Sequence, residues 1–325
     1  MNEKTIERYR RFAETEAAGR SALYEELALH VSMSDPLIGF LDRLPEPRRQ
    51  PNLFFAATRF VAGLPTNAED FEDLVAASGD RIAEVMCERT TQTNEPGRCA
   101  TLMPSLARID GPISLIEVGA SAGLCLLPDC YGYDWGRHKL APPSVENVDA
   151  PVFPCRASAN APLPIEHPEI VWRAGLDLNP LDVDSEEDMS WLKTLVWPED
   201  VERLHRLTQS IEVARRGKPE VVKGDLRTDL MALIDRAPRD STVVVFHTAV
   251  LSYLPVEADR RQFASKLLDR KDIIWLCNES PRVLSQRLTG AGEPPHGGLF
   301  LLSRNGAPVA WTGPHGQSID WIVCG

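Results

Sequence analysis

The chain has 325 residues, of which 43% are hydrophobic and 25% are charged. These values are typical of a globular protein, and the length predicts two domains or one domain with an extension. The formal net charge of -12 disfavours nucleic acid as a partner, because an acidic surface repels phosphate.

The chain begins with charged residues, which predicts no secretory signal, and it has no apolar run long enough to cross a membrane. Its seven cysteines form no CxxC pair and no spacing typical of zinc ligands. We therefore expect a cytoplasmic protein with reduced thiols, no metal and no membrane partner.

The first third of the chain is predicted to be all helical. Apolar residues recur at helical spacing, and Ser, Gly and Pro stand at the boundaries. We assign residues 1–110 to a helical N-terminal domain. The predicted helices cover residues 3–19, 21–31, 35–44, 52–64, 70–77 and 81–90.

From residue 111 to residue 325, short β-branched runs alternate with helical segments, which predicts a doubly wound, mostly parallel α/β sheet of the Rossmann-like type. The last two strands have no helix between them, so a terminal antiparallel hairpin is expected. The predicted strands are 113–118, 170–178, 219–223, 242–246, 273–277, 298–303 and 318–323. The predicted helices are 122–130, 185–214 (broken near Pro198), 228–235, 256–269 and 281–288.

A proline-rich stretch over about 141–168 excludes a helix there. It is predicted to be an inserted loop or a short edge hairpin around residues 152–156.

The first predicted strand runs into a turn of small residues. Glu117, Gly119, Ser121 and Gly123 form the pattern Glu-x-Gly-x-Ser-x-Gly. Small residues let a ligand approach the backbone, and the N-terminus of a following helix favours an anionic group. The pattern resembles the first motif of class I S-adenosylmethionine-dependent methyltransferases, Asp/Glu-x-Gly-x-Gly-x-Gly, with Ser121 in place of the middle glycine. A strand–helix packing turn without a ligand is the alternative.

Two later acidic residues follow in the order that the methyltransferase resemblance implies. Asp177 ends the second strand and is expected to hold the ribose hydroxyls of S-adenosylmethionine, with Asp134 as the alternative. Asp225 follows the third strand in a Gly-Asp step, and the resemblance implies a contact with the adenine amine. The alternative roles are a turn cap for Asp177 and a helix cap for Asp225.

The ends of the next two strands supply the candidate catalytic residues. His247 and Tyr253 follow the strand at 242–246, and Glu279 follows the strand at 273–277. Ligands of doubly wound sheets bind at the carboxyl ends of strands, and a histidine near pH 7 can deprotonate a methyl acceptor. A core histidine bound to a backbone carbonyl is the alternative for His247.

Three more polar residues are candidate substrate ligands. Asn94 and Arg98 lie in an amide-rich segment of the helical region, and His315 precedes the last strand. An arginine in a cleft suits a carboxylate or phosphate. Helix capping and interdomain hydrogen bonds are the alternatives for Asn94 and Arg98, and a plain turn is the alternative for His315.

Nearly the whole chain resembles an uncharacterised bacterial family, a conserved domain of unknown function. The resemblance implies a methyltransferase-like fold and no established reaction. It is carried by RQPNLFFAATR (49–59), TQTNEPGRC (91–99), IEVGASAGL (116–124), WRAGLDLNPLDV (172–183), WLKTLVWPE (191–199), VVKGDL (221–226), VVVFHTAVLSYL (243–254) and PHG (314–316).

Three functions are compatible with these patterns. The leading prediction is an S-adenosylmethionine-dependent methyltransferase that acts on a small molecule. The alternatives are a non-catalytic module that binds S-adenosylmethionine or another nucleotide, and an NAD-dependent oxidoreductase, which the lack of a GxGxxG motif disfavours.

Overall fold

A computed structural model describes residues 3–143, 149–284 and 291–322. The helices are α1 (Glu3–Phe12), α2 (Ala22–Val31), α3 (Asp35–Asp42), α4 (Pro51–Ala62), α5 (Ala68–Glu88), α6 (Cys99–Leu106), α7 (Glu186–Thr194), α8 (Val201–Gly217), α9 (Leu230–Ile234) and α10 (Glu257–Asp269). The strands are β1 (Ile113–Val118), β2 (Gly132–Asp134), β3 (Lys139–Leu140), β4 (Val152–Pro154), β5 (Arg156–Ala157), β6 (Ile170–Asp177), β7 (Glu220–Lys223), β8 (Thr242–Thr248), β9 (Ile273–Glu279), β10 (Phe300–Arg304), β11 (Ala307–Thr312) and β12 (Ser318–Trp321).

The chain folds into two compact units. The first unit comprises Met1–Thr93 and Ser185–His205, and the second comprises Asn94–Asp184 and Arg206–Gly325. The helix α6 and the polar segment before it therefore belong to the second unit. In the parts of the chain that the structure describes, every helix is too short or too polar to cross a lipid bilayer.

The first unit is built from α1 to α5 and α7. Polar side chains accept hydrogen bonds from backbone amides at four helix starts, which satisfies donors that have no partner inside the helix. These caps are Ser21, Ser34, Asn67 and Ser185. The core is aromatic, and its ring contacts join Tyr9, Phe12, Tyr24, Phe40, Phe54, Phe55, Phe71 and Trp197.

One prediction for this unit needs correction. The segment predicted as one helix over 3–19 ends its α-helical part at Phe12 and continues as a π-helical turn, Ala13–Ala17. The two helices predicted over 70–77 and 81–90 lie in α5, on either side of a kink at Ser78, where the backbone angles are non-helical.

The second unit contains a nine-stranded sheet in the order β5-β12-β11-β10-β9-β8-β1-β6-β7. Five neighbouring strands of the sheet, β7, β6, β1, β8 and β9, are parallel to one another. Each of β10, β11 and β12 runs antiparallel to the strand that precedes it in the chain. Every residue of β1 is buried, as expected for a central strand covered on both faces. The prediction of a mixed α/β protein with a helical N-terminal region and a mostly parallel sheet is confirmed.

The predicted terminal hairpin is wrong in detail, because the strands near residues 300 and 320 do not pair with each other. The strand β11 lies between β10 and β12 and pairs with both. Its sequence follows an Asn-Gly step and contains Pro308, which are typical of a turn, so the sequence pattern predicts no strand here.

The proline-rich stretch forms no hairpin around residues 152–156. The strand β4 pairs with β2 in a separate three-stranded sheet, whereas β5 pairs with β12 at the edge of the large sheet. Residues 144–148 lie outside the described residues, as do residues 285–288 of the helix predicted over 281–288. Residues 281–283 of that segment form a turn.

Candidate functional site

The parallel part of the large sheet brings the predicted site residues to one edge. From β1 the chain continues to β6 and β7 on one side, and then to β8 and β9 on the other side. The strand order therefore reverses between β1 and β8, and ligands of such sheets bind outside the carboxyl ends of the strands at this point. Glu117, Asp177, His247 and Glu279 are all within the last two residues of their strands.

The turn after β1 has three left-handed residues. Gly119, Ser121 and Gly123 have φ angles of 73°, 53° and 74°. A Cβ atom on Gly119 would clash with the side chain of Val250, so this glycine is required by packing as well as by its φ angle. Ser121 adopts the left-handed backbone conformation, which costs energy for residues other than glycine. Such strained residues are common at ligand sites.

The helix predicted over 122–130 is wrong. The segment forms two short 3₁₀ turns, Leu124–Leu126 and Pro128–Cys130. Pro128 interrupts the apolar run, and a side chain from another segment holds the first turn by a hydrogen bond. The side chain of Asn94 accepts a hydrogen bond from the backbone N–H of Leu124 at 2.8 Å. No α-helix follows the turn directly, so the expected anion site at a helix N-terminus is absent here, and Asn94 supports the turn.

Glu117 is buried beneath this turn, with 2% of its surface exposed. Its Oε2 atom has no hydrogen-bond partner among the described residues. Burial, with smaller contributions from Cys125 and Asp177, raises the pKa of Glu117 well above that of a free glutamate, whereas Arg98 acts in the opposite direction. A buried polar atom without a partner is rare in folded proteins and costs about 1–3 kcal/mol.

Asp177 lies at the end of β6, the strand directly beside β1. Its carboxylate accepts hydrogen bonds from the backbone N–H groups of Ser121 and Asn179, each at 2.8 Å. The alternative, Asp134, lies on the separate small sheet and pairs with Lys139 at 2.7 Å. Asp177 is therefore the acidic residue that contacts the glycine turn, and Ser121 Oγ beside it is buried without a partner among the described residues.

Asp225 follows β7, as predicted, but its carboxylate is already paired. Arg227 donates to both of its oxygens, the shortest contact being 2.6 Å from Nη2 to Oδ2. These hydrogen bonds hold the pKa of Asp225 below its usual range. The carboxylate is thus engaged in a local turn.

His247 and Glu279 form a buried pair on neighbouring strands. The distance from His247 Nδ1 to Glu279 Oε1 is 2.7 Å, and the two side chains are 0% and 1% exposed. The imidazole lies against the rings of Phe263 and Trp275. Its Nε2 atom is buried and has no partner in the described part of the chain.

Glu279 also holds the turn that follows β8. Its Oε1 atom accepts hydrogen bonds from the backbone N–H groups of Val250 (2.8 Å) and Leu251 (3.2 Å). This turn contains Ala249 in a left-handed conformation (φ 59°) and carries Val250 against Gly119. Tyr253 ends the same turn, and 60% of its surface is exposed, so it does not join His247.

Arg98 is buried on the face of the sheet that carries Glu117. Its guanidinium donates to the carbonyl oxygens of Pro314 (2.9 Å) and Thr248 (3.2 Å) and to the Thr248 hydroxyl (3.3 Å). His315 follows Pro314 and lies 4.0 Å from the carboxylate of Glu95, with 37% of its side chain exposed. Both Arg98 and His315 therefore lie near the carboxyl ends of the central strands.

Two site residues were missed by sequence reasoning. Val250 covers Gly119, and Cys125 lies beside Glu117. Asn278 directly precedes the predicted residue Glu279 and is fully buried next to Thr248 on the adjacent strand. Within the described ranges, no cluster of three His, Cys, Asp or Glu side chains is placed to hold a metal ion.

Fold and site together define a mixed α/β protein with buried polar residues at the switch point of its sheet. Residues 6–321 match the family described as Uncharacterized protein conserved in bacteria (DUF2332), and the chain belongs to this family. No curated protein and no solved structure matches the chain. The predicted family is confirmed, and the methyltransferase-like character of the fold stays a prediction.

Proposed function

We propose that the second unit binds S-adenosylmethionine and transfers its methyl group to a small molecule. The observation that carries the proposal is the buried Glu117 carboxyl, at the switch point of the sheet and beside a turn of small residues. One of its oxygens has no hydrogen-bond partner among the described residues. A buried acceptor without a donor suits a ligand that brings one.

The residues around the glycine turn fit the chemical groups of this cofactor. Glu117 would accept hydrogen bonds from the ammonium group at the methionyl end. Asp177 would accept the ribose hydroxyls, because its carboxylate lies against the glycine turn, where it accepts the backbone N–H of Ser121. Asp225 is bound to Arg227 and is not part of the proposal.

Bound S-adenosylmethionine supplies an electrophilic methyl group on a sulfonium. The chain's own contribution is to bind and orient the two reactants and to exclude water, which are large terms in such reactions. The segment after β8 covers Gly119 through Val250, and its position is fixed by Glu279. A ligand over the glycine turn therefore requires this segment to move.

A binding module without turnover is the second candidate, and the surroundings of His247 favour it. The histidine is fully buried, its Nδ1 is held by Glu279, and the nearest rings are aromatic core residues. A general base must come within hydrogen-bond reach of the proton that it removes.

Calorimetric titration with S-adenosylmethionine and S-adenosylhomocysteine tests the proposal. Glu117→Gln keeps the size of the side chain and removes its charge, so the affinity should fall about tenfold or more, as for other hydrogen bonds to charged groups. Asp225→Asn is the matched control and should bind like wild type. Folded wild-type protein that binds neither compound would overturn the proposal.

Turnover separates the two candidates. Transfer of a labelled methyl group from S-adenosylmethionine to a mixture of bacterial small molecules supports the methyltransferase. Tight binding of S-adenosylhomocysteine without any transfer supports the binding module.

A further inference from the structure

Arg98 is a buried cation that acts electrostatically on Glu117 but forms no ion pair with it among the described residues. Only 7% of its surface is exposed, and its three hydrogen bonds go to neutral oxygens of Pro314 and Thr248. Among the described residues it forms no ion pair. An unpaired buried charge is costly, and proteins ordinarily neutralise such a charge with a partner.

Asn278 supplies a buried donor that has no acceptor among the described residues. The side chain is 0% exposed, its Oδ1 accepts a hydrogen bond from the Thr312 hydroxyl at 2.7 Å, and its Nδ2 has no partner in the described part of the chain. The bond from Thr312 fixes the orientation of the amide. Because Nδ2 is on the other branch of the amide, it is directed away from Thr312.

The register of β8 and β9 places Asn278 beside Thr248, the residue that accepts hydrogen bonds from Arg98. Thr248 and Asn278 are partners on neighbouring parallel strands, so their side chains lie on the same face, about 5 Å apart at the backbone. Arg98 is hydrogen bonded to the Thr248 hydroxyl. Glu117 is on this face too, since it shares a register row with Phe246, two residues before Thr248.

We propose that Arg98 and Asn278 form a subsite for a carboxylate group of the ligand. Each oxygen of the carboxylate would accept a hydrogen bond from one of the two side chains. A carboxylate brings one negative charge, which balances one guanidinium, whereas a phosphate monoester brings about 1.5 to 2 and would leave an excess beside Glu117. The observations therefore favour a carboxylate.

The carboxylate has two possible sources. It belongs either to the methyl acceptor or to the methionyl end of S-adenosylmethionine, and only this choice rests on the proposed function. The subsite itself is defined by Arg98, directly before α6, and Asn278, near the end of β9, and does not depend on the nature of the cofactor.

Acetate is the probe for the subsite. The thermal unfolding of the full chain is measured in sodium acetate, in sodium chloride of equal ionic strength, and in acetamide. Acetate should raise the Tm of the wild type above both references, because it binds only the folded site. A wild-type Tm that is the same in acetate and chloride would overturn the proposal.

Two substitutions at one position sharpen the test. Asn278→Leu removes the donor, so the affinity for acetate, obtained from the rise of the Tm with acetate concentration, should fall about tenfold or more. Asn278→Asp places a carboxylate inside the subsite, so it should raise the Tm without ligand and abolish the response. Asn305→Asp is the matched control, because the Asn305 side chain accepts the Trp275 N–H through Oδ1, and aspartate retains that oxygen. An Asn278→Leu protein that responds like wild type would contradict the assignment.

Competition identifies the source of the carboxylate. S-adenosylhomocysteine carries the amino-acid end, and 5′-methylthioadenosine lacks it. Displacement of acetate by the first compound alone assigns the subsite to the cofactor, and binding of both without displacement assigns it to the acceptor. A response to acetate with no binding of either nucleoside supports the subsite and overturns the proposed function.

Discussion

Glu279 and Glu117 are both buried at the carboxyl ends of parallel strands, but they lie on opposite faces of the sheet. Glu279 Oε1 accepts three hydrogen bonds, from His247, Val250 and Leu251. Glu117 Oε2 accepts none from the described residues. A buried carboxyl can therefore serve two purposes. One that accepts hydrogen bonds from surrounding donors, as Glu279 does, stabilises the fold, and one with an oxygen that accepts none, as in Glu117, is available to a ligand.

The largest effect is expected for Glu279→Leu. The substitution leaves three buried donors without their acceptor, and breaking a buried pair of this kind costs about 3–5 kcal/mol. Urea denaturation measures the free energy of unfolding, and amide hydrogen exchange at Val250 and Leu251 measures the local loss. A cost below about 1 kcal/mol would contradict the stabilising role of Glu279.

Gly119→Ala should cost about 2–4 kcal/mol, because alanine is strained at positive φ and its Cβ clashes with Val250. Adding Val250→Ala removes the clash and should recover part of the loss. The coupling energy of the double-mutant cycle measures the contact between Gly119 and Val250, which lies in the turn that follows β8. Purely additive effects would show that the two residues are not in contact.

The pH dependence of stability should differ between wild type and Glu117→Gln. The folded-state pKa of Glu117 is raised by burial, so between the unfolded pKa, about 4.3, and the folded pKa the native state binds more protons than the unfolded state. Wild-type stability therefore falls as the pH rises through this window, by up to about 1.4 kcal/mol per pH unit. Glu117→Gln lacks this term.

The measurement compares the unfolding free energies of the two proteins at a series of pH values. We expect the unfolding free energy of Glu117→Gln to increase relative to that of the wild type from about pH 4.3 upward. Parallel curves for the two proteins would mean that the pKa of Glu117 is the same in the folded and unfolded states.

The smallest effect is expected for Asp225→Asn. The carboxylate is bound to Arg227 near the surface, and exposed ion pairs contribute about 0–1 kcal/mol. Stability and the affinity for S-adenosylhomocysteine should both stay close to wild type. A large loss of affinity would instead assign Asp225 to the cofactor, as the sequence pattern alone suggested.

The strands with continuous β-branched runs could be predicted from the sequence, and β1, β8 and β9 begin where expected. The glycine turn and Asp177 were found by pattern and by order along the chain. The strand β11 was missed, because Pro308 and the preceding Asn-Gly are typical of a turn. Tertiary pairing on both sides overrode this local signal.

The state of each polar group could not be predicted, because it depends on contacts between distant segments. His247 and Glu279 are 32 residues apart in the sequence, and Asn94 is hydrogen bonded to Leu124, which is 30 residues away. Sequence reasoning placed His247 and Glu279 together as catalytic residues, while the structure shows that their shared hydrogen bond is buried in an aromatic pocket. Nothing in the sequence near Glu117 indicates that its Oε2 atom has no partner among the described residues.

Proton release on ligand binding tests the central claim most directly. If the buried Glu117 is neutral in the free protein and ionises to bind an ammonium group, S-adenosylhomocysteine should release about one proton near pH 7. Calorimetry in buffers with different ionisation enthalpies measures this number. We expect proton release in wild type and none in Glu117→Gln. Binding without proton release, or equal release in both proteins, would contradict it.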